Sequence, residues 1–312
     1  MNVYSILALL LAPSVLAYFW YRKASMVQAL AIANFVVFVI TLATADRFSS
    51  IAGSPLLDDL AFRTRYVTEW DWTHLHTIVT AAFLHADFLH ILANMLILLM
   101  AGMAFEERLG RGRFLIVYFF SSIVAVLLHV VWNQFTLGHA ALDVPVVGAS
   151  GAVFGILGGF AATYPRDQIP MIMIFFVLPR VPVILAAIIL SLFEIVALFG
   201  GAPSGVAHAA HIGGAVGGAI AAPLVKPPER KAGVMTAGRK LDYEKLATLA
   251  HDDKTRRLVD RVRENSDAAE LQRAWLDRLF VSLRCPQCGE GYAESGGFLE
   301  CDKGHRERYV AG

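Results

Sequence analysis

The run Gly148-Ala149-Ser150-Gly151, read together with Ala210-His211-Ile212-Gly213-Gly214, decides how this chain folds. Each run lies inside an apolar segment of membrane-crossing length, which for a helix is about 20 residues. Polar and ionisable side chains are costly in hydrocarbon, so a histidine held there is a functional hypothesis by default. Ser150 and His211, each set among small residues, are a candidate nucleophile and base. The pair suggests proteolysis carried out within the bilayer.

The rest of the chain agrees with a membrane setting. It has 312 residues, 56% hydrophobic and 17% charged, with a mean hydropathy of +0.55. A soluble domain of that size carries more charge. Apolar segments fall at 3–20, 26–44, 78–105, 114–131, 148–164, 182–199 and 207–224. The first is expected to be a retained extra helix rather than a signal peptide, because Arg22 and Lys23 follow it and no basic stretch precedes it. Residues 165–181 carry Pro170, Pro179, Arg180 and Pro182 and are expected to form an ordered loop on the membrane surface. The net charge of +1 excludes a global field for nucleic acid.

Basic residues occur in alternate loops: Arg22 and Lys23, then Arg108, Arg111 and Arg113, then Arg166 and Arg180, then Lys226, Arg230 and Lys231. These loops are expected to be cytoplasmic. Residues 132–147 and 200–206 hold no Lys or Arg, and in 45–75 the arginines are outnumbered by acids. Counting core helices one to six from residue 26, this orientation brings His90 and Asn94 of helix two to the outer half of the membrane. Ser150 at the start of helix four and His211 near the start of helix six reach the same depth.

His90 and Asn94 stand at i and i+4 on one helix face and can both donate to a developing oxyanion. The Ser150 backbone N–H, at a helix start without an intrahelical acceptor, is a further donor. His211 can take the Ser150 proton and return it to the leaving amine. No carboxylate is expected to orient His211, so the pair reads as a dyad. Gly151, Gly155 and Gly159, with Gly214 and Gly218, repeat every four residues and permit close helix approach. His85 and His208 are expected to face an aqueous cavity or loop. An intramembrane metal site is disfavoured because no His-Glu-x-x-His run occurs. A transporter is disfavoured because Glu194 is the only acid within helices three to six and no repeat is visible.

These motifs resemble the rhomboid family of intramembrane serine proteases. The resemblance is carried by Phe83-Leu84-His85-Ala86-Asp87-Phe88-Leu89-His90-Ile91-Leu92-Ala93-Asn94, Glu106-Glu107-Arg108-Leu109-Gly110, Gly148-Ala149-Ser150-Gly151 and Ala210-His211-Ile212-Gly213-Gly214, in family order over residues 26–224. It implies an all-α polytopic membrane protein with a six-helix core, cleaving transmembrane protein substrates near the outer face of a prokaryotic cytoplasmic membrane, with no cofactor for catalysis. The implied roles are Ser150 as nucleophile, His211 as base, His90 and Asn94 as oxyanion donors, and Phe154 as a ring packed on the catalytic histidine. Glu106 and Arg108 match positions that tie the cytoplasmic end of the helix-two hairpin. The family's frequent Trp-Arg pair in the first outer loop is replaced here by His76-Thr77. A non-catalytic relative that binds membrane-protein clients is the alternative. Such proteins typically lack the Ser or the His.

The division expected is 1–25 extra helix, 26–224 membrane core, 225–240 linker, 241–283 cytoplasmic helical segment and 284–312 zinc ribbon. In 241–283, Leu271, Trp275 and Leu279 recur every four residues as an apolar face. All three cysteines fall at the end, as Cys285-Pro286-Gln287-Cys288 followed by Cys301 and His305. That spacing suits a structural, tetrahedral Zn²⁺ in the reducing cytoplasm. No thioredoxin-like βαβ pattern surrounds it. The module could recruit a cytoplasmic partner or a substrate tail.

Overall fold

The computed structural model describes residues 1–46, 51–136, 142–173, 176–200, 207–227 and 240–311. Most of the expected linker, 228–239, and the outer loop 201–206 lie outside them. The chain forms two compact units, Met1–Pro227 and Pro228–Gly312.

The first unit is built on apolar helices: α1 (Val3–Tyr21), α2 (Met26–Ala43), α3 (Phe88–Leu109), α4 (Arg111–Thr136), α5 (Ser150–Thr163), α6 (Val183–Phe199) and α7 (His208–Val225). Five are long and apolar enough to cross a membrane, while α5 and α6 are shorter apolar helices. The helix ends are set by specific side chains. Asn2 caps α1, accepting from the Tyr4 and Ser5 N–H groups. Glu106, near the end of α3, accepts from the Ser25 hydroxyl at 2.6 Å and from the Met26 and Val27 N–H groups at 2.7 and 3.1 Å. One carboxylate thus terminates the start of α2, where the helix dipole favours negative charge. Arg108 reaches elsewhere, forking onto Asp167 at 2.8 and 3.1 Å.

The span expected over 78–105 is shifted. Residues Thr77–Thr80 and Ala81–Phe83 make separate short turns, and α3 begins at Phe88. Asp87 is extended and accepts the His90 N–H at 2.8 Å, which starts the helix there. Leu98–Gly102 is a π-helical turn within α3.

The stretch 165–181, expected as an ordered loop, holds regular strands. It forms an antiparallel hairpin, β1 (Gln168–Met173) and β2 (Phe176–Pro182), with Met171 opposite Leu178 and an irregular register between Ile169 and Met171. Ile169, Ile172, Val177 and Val181 favour strands, and Pro170, which has no N–H to give, falls at the irregularity. The segment 51–76, part of the loop expected to be the first outer one, is also folded where described. Leu56, Leu60, Phe62 and Tyr66 are buried, Phe62 bridges to Val146, and His76 Nε2 meets the Asp59 carbonyl at 2.9 Å.

Helices α5 and α7 pack backbone to backbone. A Cβ on Gly214 would fall on the Gly151 carbonyl, and one on Gly218 on the Gly155 carbonyl. The interface therefore admits no side chain at either position. Gly214→Val should push α5 and α7 apart, destabilising the protein by about 3 kcal/mol or more. Thermal unfolding of the purified variant in detergent measures this, and an unchanged midpoint would contradict the packing.

The second unit holds α8 (Tyr243–Leu249), α9 (Asp253–Glu264), α10 (Ala269–Ser282) and a sheet ordered β3 (Tyr292–Ser295), β4 (Phe298–Cys301), β5 (Arg306–Arg308). A capping box of Asp252 and Thr255 starts α9. Helices and sheet share one core containing Leu246, Leu249, Val262, Leu276, Leu299 and Tyr309, so 241–283 and 284–312 fold as one body. Of the apolar face expected from Leu271, Trp275 and Leu279, Leu279 is buried and Trp275 packs against the core, while Leu271 is exposed and Leu276, Phe280 and Leu283 widen the face.

Candidate active site

Ser150 begins α5, and the turn that delivers it is conformationally specific. Gly148 adopts φ +126°, where L side chains rarely go, and its N–H donates to the Ala81 carbonyl at 2.9 Å. A Cβ on Gly148 would meet the His90 ring at 2.8 Å, so only glycine lets His90 approach. The Ala149 N–H points at His85 Nε2, 3.4 Å away. Two histidines thus bracket the turn, their ring centroids 5.1 Å apart.

His211 lies one turn into α7, and its Nε2 is 2.7 Å from Ser150 Oγ. Phe154, one turn along α5, stacks on the His211 ring at 4.6 Å and 8° between planes. The ring is 8% exposed. A hydroxyl on an imidazole nitrogen is the contact that general-base activation of serine requires. His90 and Asn94 share the facing side of α3. The Asn94 amide donates one of its two N–H groups to the His90 carbonyl at 2.9 Å, which leaves the other for an oxyanion.

Three features depart from expectation. His85 and His208 are buried, 0% and 8% exposed, rather than open to an aqueous cavity. His208 Nδ1 meets Glu194, and His85 Nε2 accepts the Ala149 N–H. His129 of α4, near the same site and bonded to Asn133 at 2.9 Å, was not singled out by any motif. Most consequential is Glu194 of α6, buried at 6% exposure. Its Oε2 lies 2.5 Å from His208 Nδ1 and 3.0 Å from His211 Nδ1. The expectation that no carboxylate accompanies His211 is overturned by this geometry. The signal was present, since Glu194 is the only ionisable residue of α6.

In the second unit Cys285, Cys288, Cys301 and His305 converge, their donor atoms all within 4.8 Å of one another. Cys288 Sγ is 3.6 Å from Cys301 Sγ, and His305 Nδ1 is 3.5 Å from Cys285 Sγ and 3.4 Å from Cys301 Sγ. Tetrahedral zinc with ordinary bond lengths separates its sulfur ligands by about 3.8 Å, and sulfur from nitrogen by about 3.5 Å. The four donors therefore fit that ion. Desolvation would raise the Cys285 thiol, but the Gln287 and Cys288 N–H groups outweigh it and hold it at about 6, which supplies a thiolate at neutral pH.

With fold and site in view, comparison with known proteins defines the class. Residues 72–228, half of the chain, match the Rhomboid domain family, and the chain belongs to the rhomboid family. With its apolar helices, it is an integral membrane protein. It is 42% identical over 88 residues to Rhomboid-like protease 3 of Toxoplasma gondii, covering 28% of this chain and 30% of that one. Against Rhomboid protease AarA of Providencia stuartii it is 33% identical over 150 residues, covering 44% and 51%. It is also 24% identical over 126 residues to Inactive RHOMBOID-like protein 8 of Arabidopsis thaliana, covering 38% and 34%. The aligned stretch is about a third to half of these relatives' length.

Proposed function

We propose that this protein is an intramembrane serine endopeptidase that cleaves transmembrane proteins. The observation carrying the reading is the 2.7 Å approach of His211 Nε2 to Ser150 Oγ between two glycine-packed helices. Ser150 Oγ attacks the scissile carbonyl as its proton passes to His211 Nε2. The negative charge that develops on the carbonyl oxygen is met by the Ser150 N–H, His90 and the second amide N–H of Asn94. As the C–N bond breaks, His211 returns the proton to the leaving amine. Water, deprotonated by the same nitrogen, then releases the acyl group from Ser150.

The loop charges support a site opening toward the outer face of a prokaryotic cytoplasmic membrane, with the second unit in the cytoplasm. That unit is proposed to bind one structural zinc through Cys285, Cys288, Cys301 and His305, and could engage a cytoplasmic partner. The ion, when bound, closes the fold and takes no part in hydrolysis.

A fluorophosphonate probe tests the catalytic reading. Purified wild type should become labelled in detergent, and Ser150→Ala and His211→Ala should not. Folded wild type that resists labelling would favour the second reading, a non-catalytic binder of membrane clients. The similarity to an inactive relative keeps that reading in view.

A further inference from the structure

The geometry points to Glu194 as a positioning residue for His211, making the catalytic group a carboxylate–imidazole–hydroxyl chain rather than a dyad. This rests on the Ser150–His211 reading above. For His211 to act as a base, Nε2 must be unprotonated where it meets Ser150 Oγ at 2.7 Å. The ring proton of the neutral form then sits on Nδ1. That nitrogen is buried and finds no hydrogen-bond partner of ideal angle, yet Glu194 Oε2 is 3.0 Å away, within ion-pair range. Left alone, a buried N–H is an orphan donor, and the ring would be free to adopt the wrong tautomer. An anion at Nδ1 fixes the tautomer, aims Nε2 at the serine and stabilises the imidazolium formed during attack.

Glu194 is itself held. His208, one turn before His211 on α7, meets the same oxygen at 2.5 Å. The two imidazole planes stand at 89°, so one oxygen serves both. Three elements thereby supply one line of contacts: Ser150 from α5, His211 and His208 from α7, and Glu194 from α6. The other ionisable groups acting on His211 are His90 of α3 and His129 of α4, neither of which can supply a negative charge. A metal ion bridging Glu194, His208 and His211 fits poorly. Tetrahedral zinc would hold nitrogen and oxygen donors about 3.3 Å apart, and at 2.5 Å the carboxylate already touches the ring.

The test is fluorophosphonate inactivation kinetics of the full chain in detergent, separating the maximal rate from the probe concentration at half-saturation. Label stoichiometry at saturation normalises for the folded fraction. Glu194→Gln keeps the shape and removes the charge. It should lower the maximal rate by on the order of 10²- to 10⁴-fold with half-saturation unchanged. Glu194→Asp restores a carboxylate one methylene shorter and should recover part of the rate. A purely structural role would give Gln and Asp equal rates per folded molecule, and that result, or wild-type rates in Glu194→Gln, would overturn this inference alone. Wild type that labels without needing Ser150 and His211 would instead sink the underlying reading, and this inference with it.

Discussion

Ser150→Ala is expected to cut cleavage of a reconstituted transmembrane substrate by roughly 10⁴- to 10⁶-fold, the scale seen when soluble serine proteases lose a member of their catalytic group. The protein should stay folded. Ser150 lies at the first position of α5, and alanine there removes one hydroxyl without opening a cavity or adding an atom to the Gly151–Gly214 contact. His211→Ala should cost a similar factor, because a serine without its base is a weak nucleophile. The double variant should be no worse than either single one, since the two groups act as a unit. Turnover of one cleavable substrate in proteoliposomes, measured for all four proteins, checks this. Additive losses would mean that Ser150 and His211 serve separate steps.

Metal removal should have the largest effect on stability. Structural zinc contributes on the order of 10–16 kcal/mol of apparent binding energy to small domains at neutral pH. The second unit has an apolar core of its own, yet a body of its size rarely draws more than about 3–5 kcal/mol from packing alone. Cys285 and Cys301 are part of that core, so losing the ion also loosens the packing around Tyr292 and Leu299. Strong chelation of the full chain should expose residues 240–311 to protease while Ser150 remains labelled by fluorophosphonate. Elemental analysis should give one zinc per chain, falling to none in Cys301→Ser. A chain purified without zinc that still resists protease would refute the assignment of these four ligands.

Much of the membrane unit was legible because bilayers demand long apolar helices, and that demand is written in composition. Ser150, His211, His90 and Asn94 stood out because polar groups in such helices are rare. Glu194 is just as rare in α6, but its partners lie on another helix, and sequence spacing does not report which neighbouring face a side chain meets. The hairpin of 168–182 was hidden by its prolines, whose usual meaning is loop. One of them sits at an irregular register and another, Pro182, ends β2. Leu271 failed for a related reason. A four-residue apolar repeat marks a helix face, and Trp275 and Leu279 do meet the core, but the repeat does not report that the core stops short of Leu271.

The cap that Glu106 places on α2 also sets an order of events. Ser25 leaves the ribosome 81 residues ahead of its acceptor. At roughly 5–20 residues per second, the Met26 and Val27 N–H groups wait some 4–16 seconds for that carboxylate. Until α3 is complete, the start of α2 has only the Ser25 hydroxyl, capping the Gln28 N–H, to hold it. The long-range tie on that end is therefore made late, by a residue near the far end of the third span.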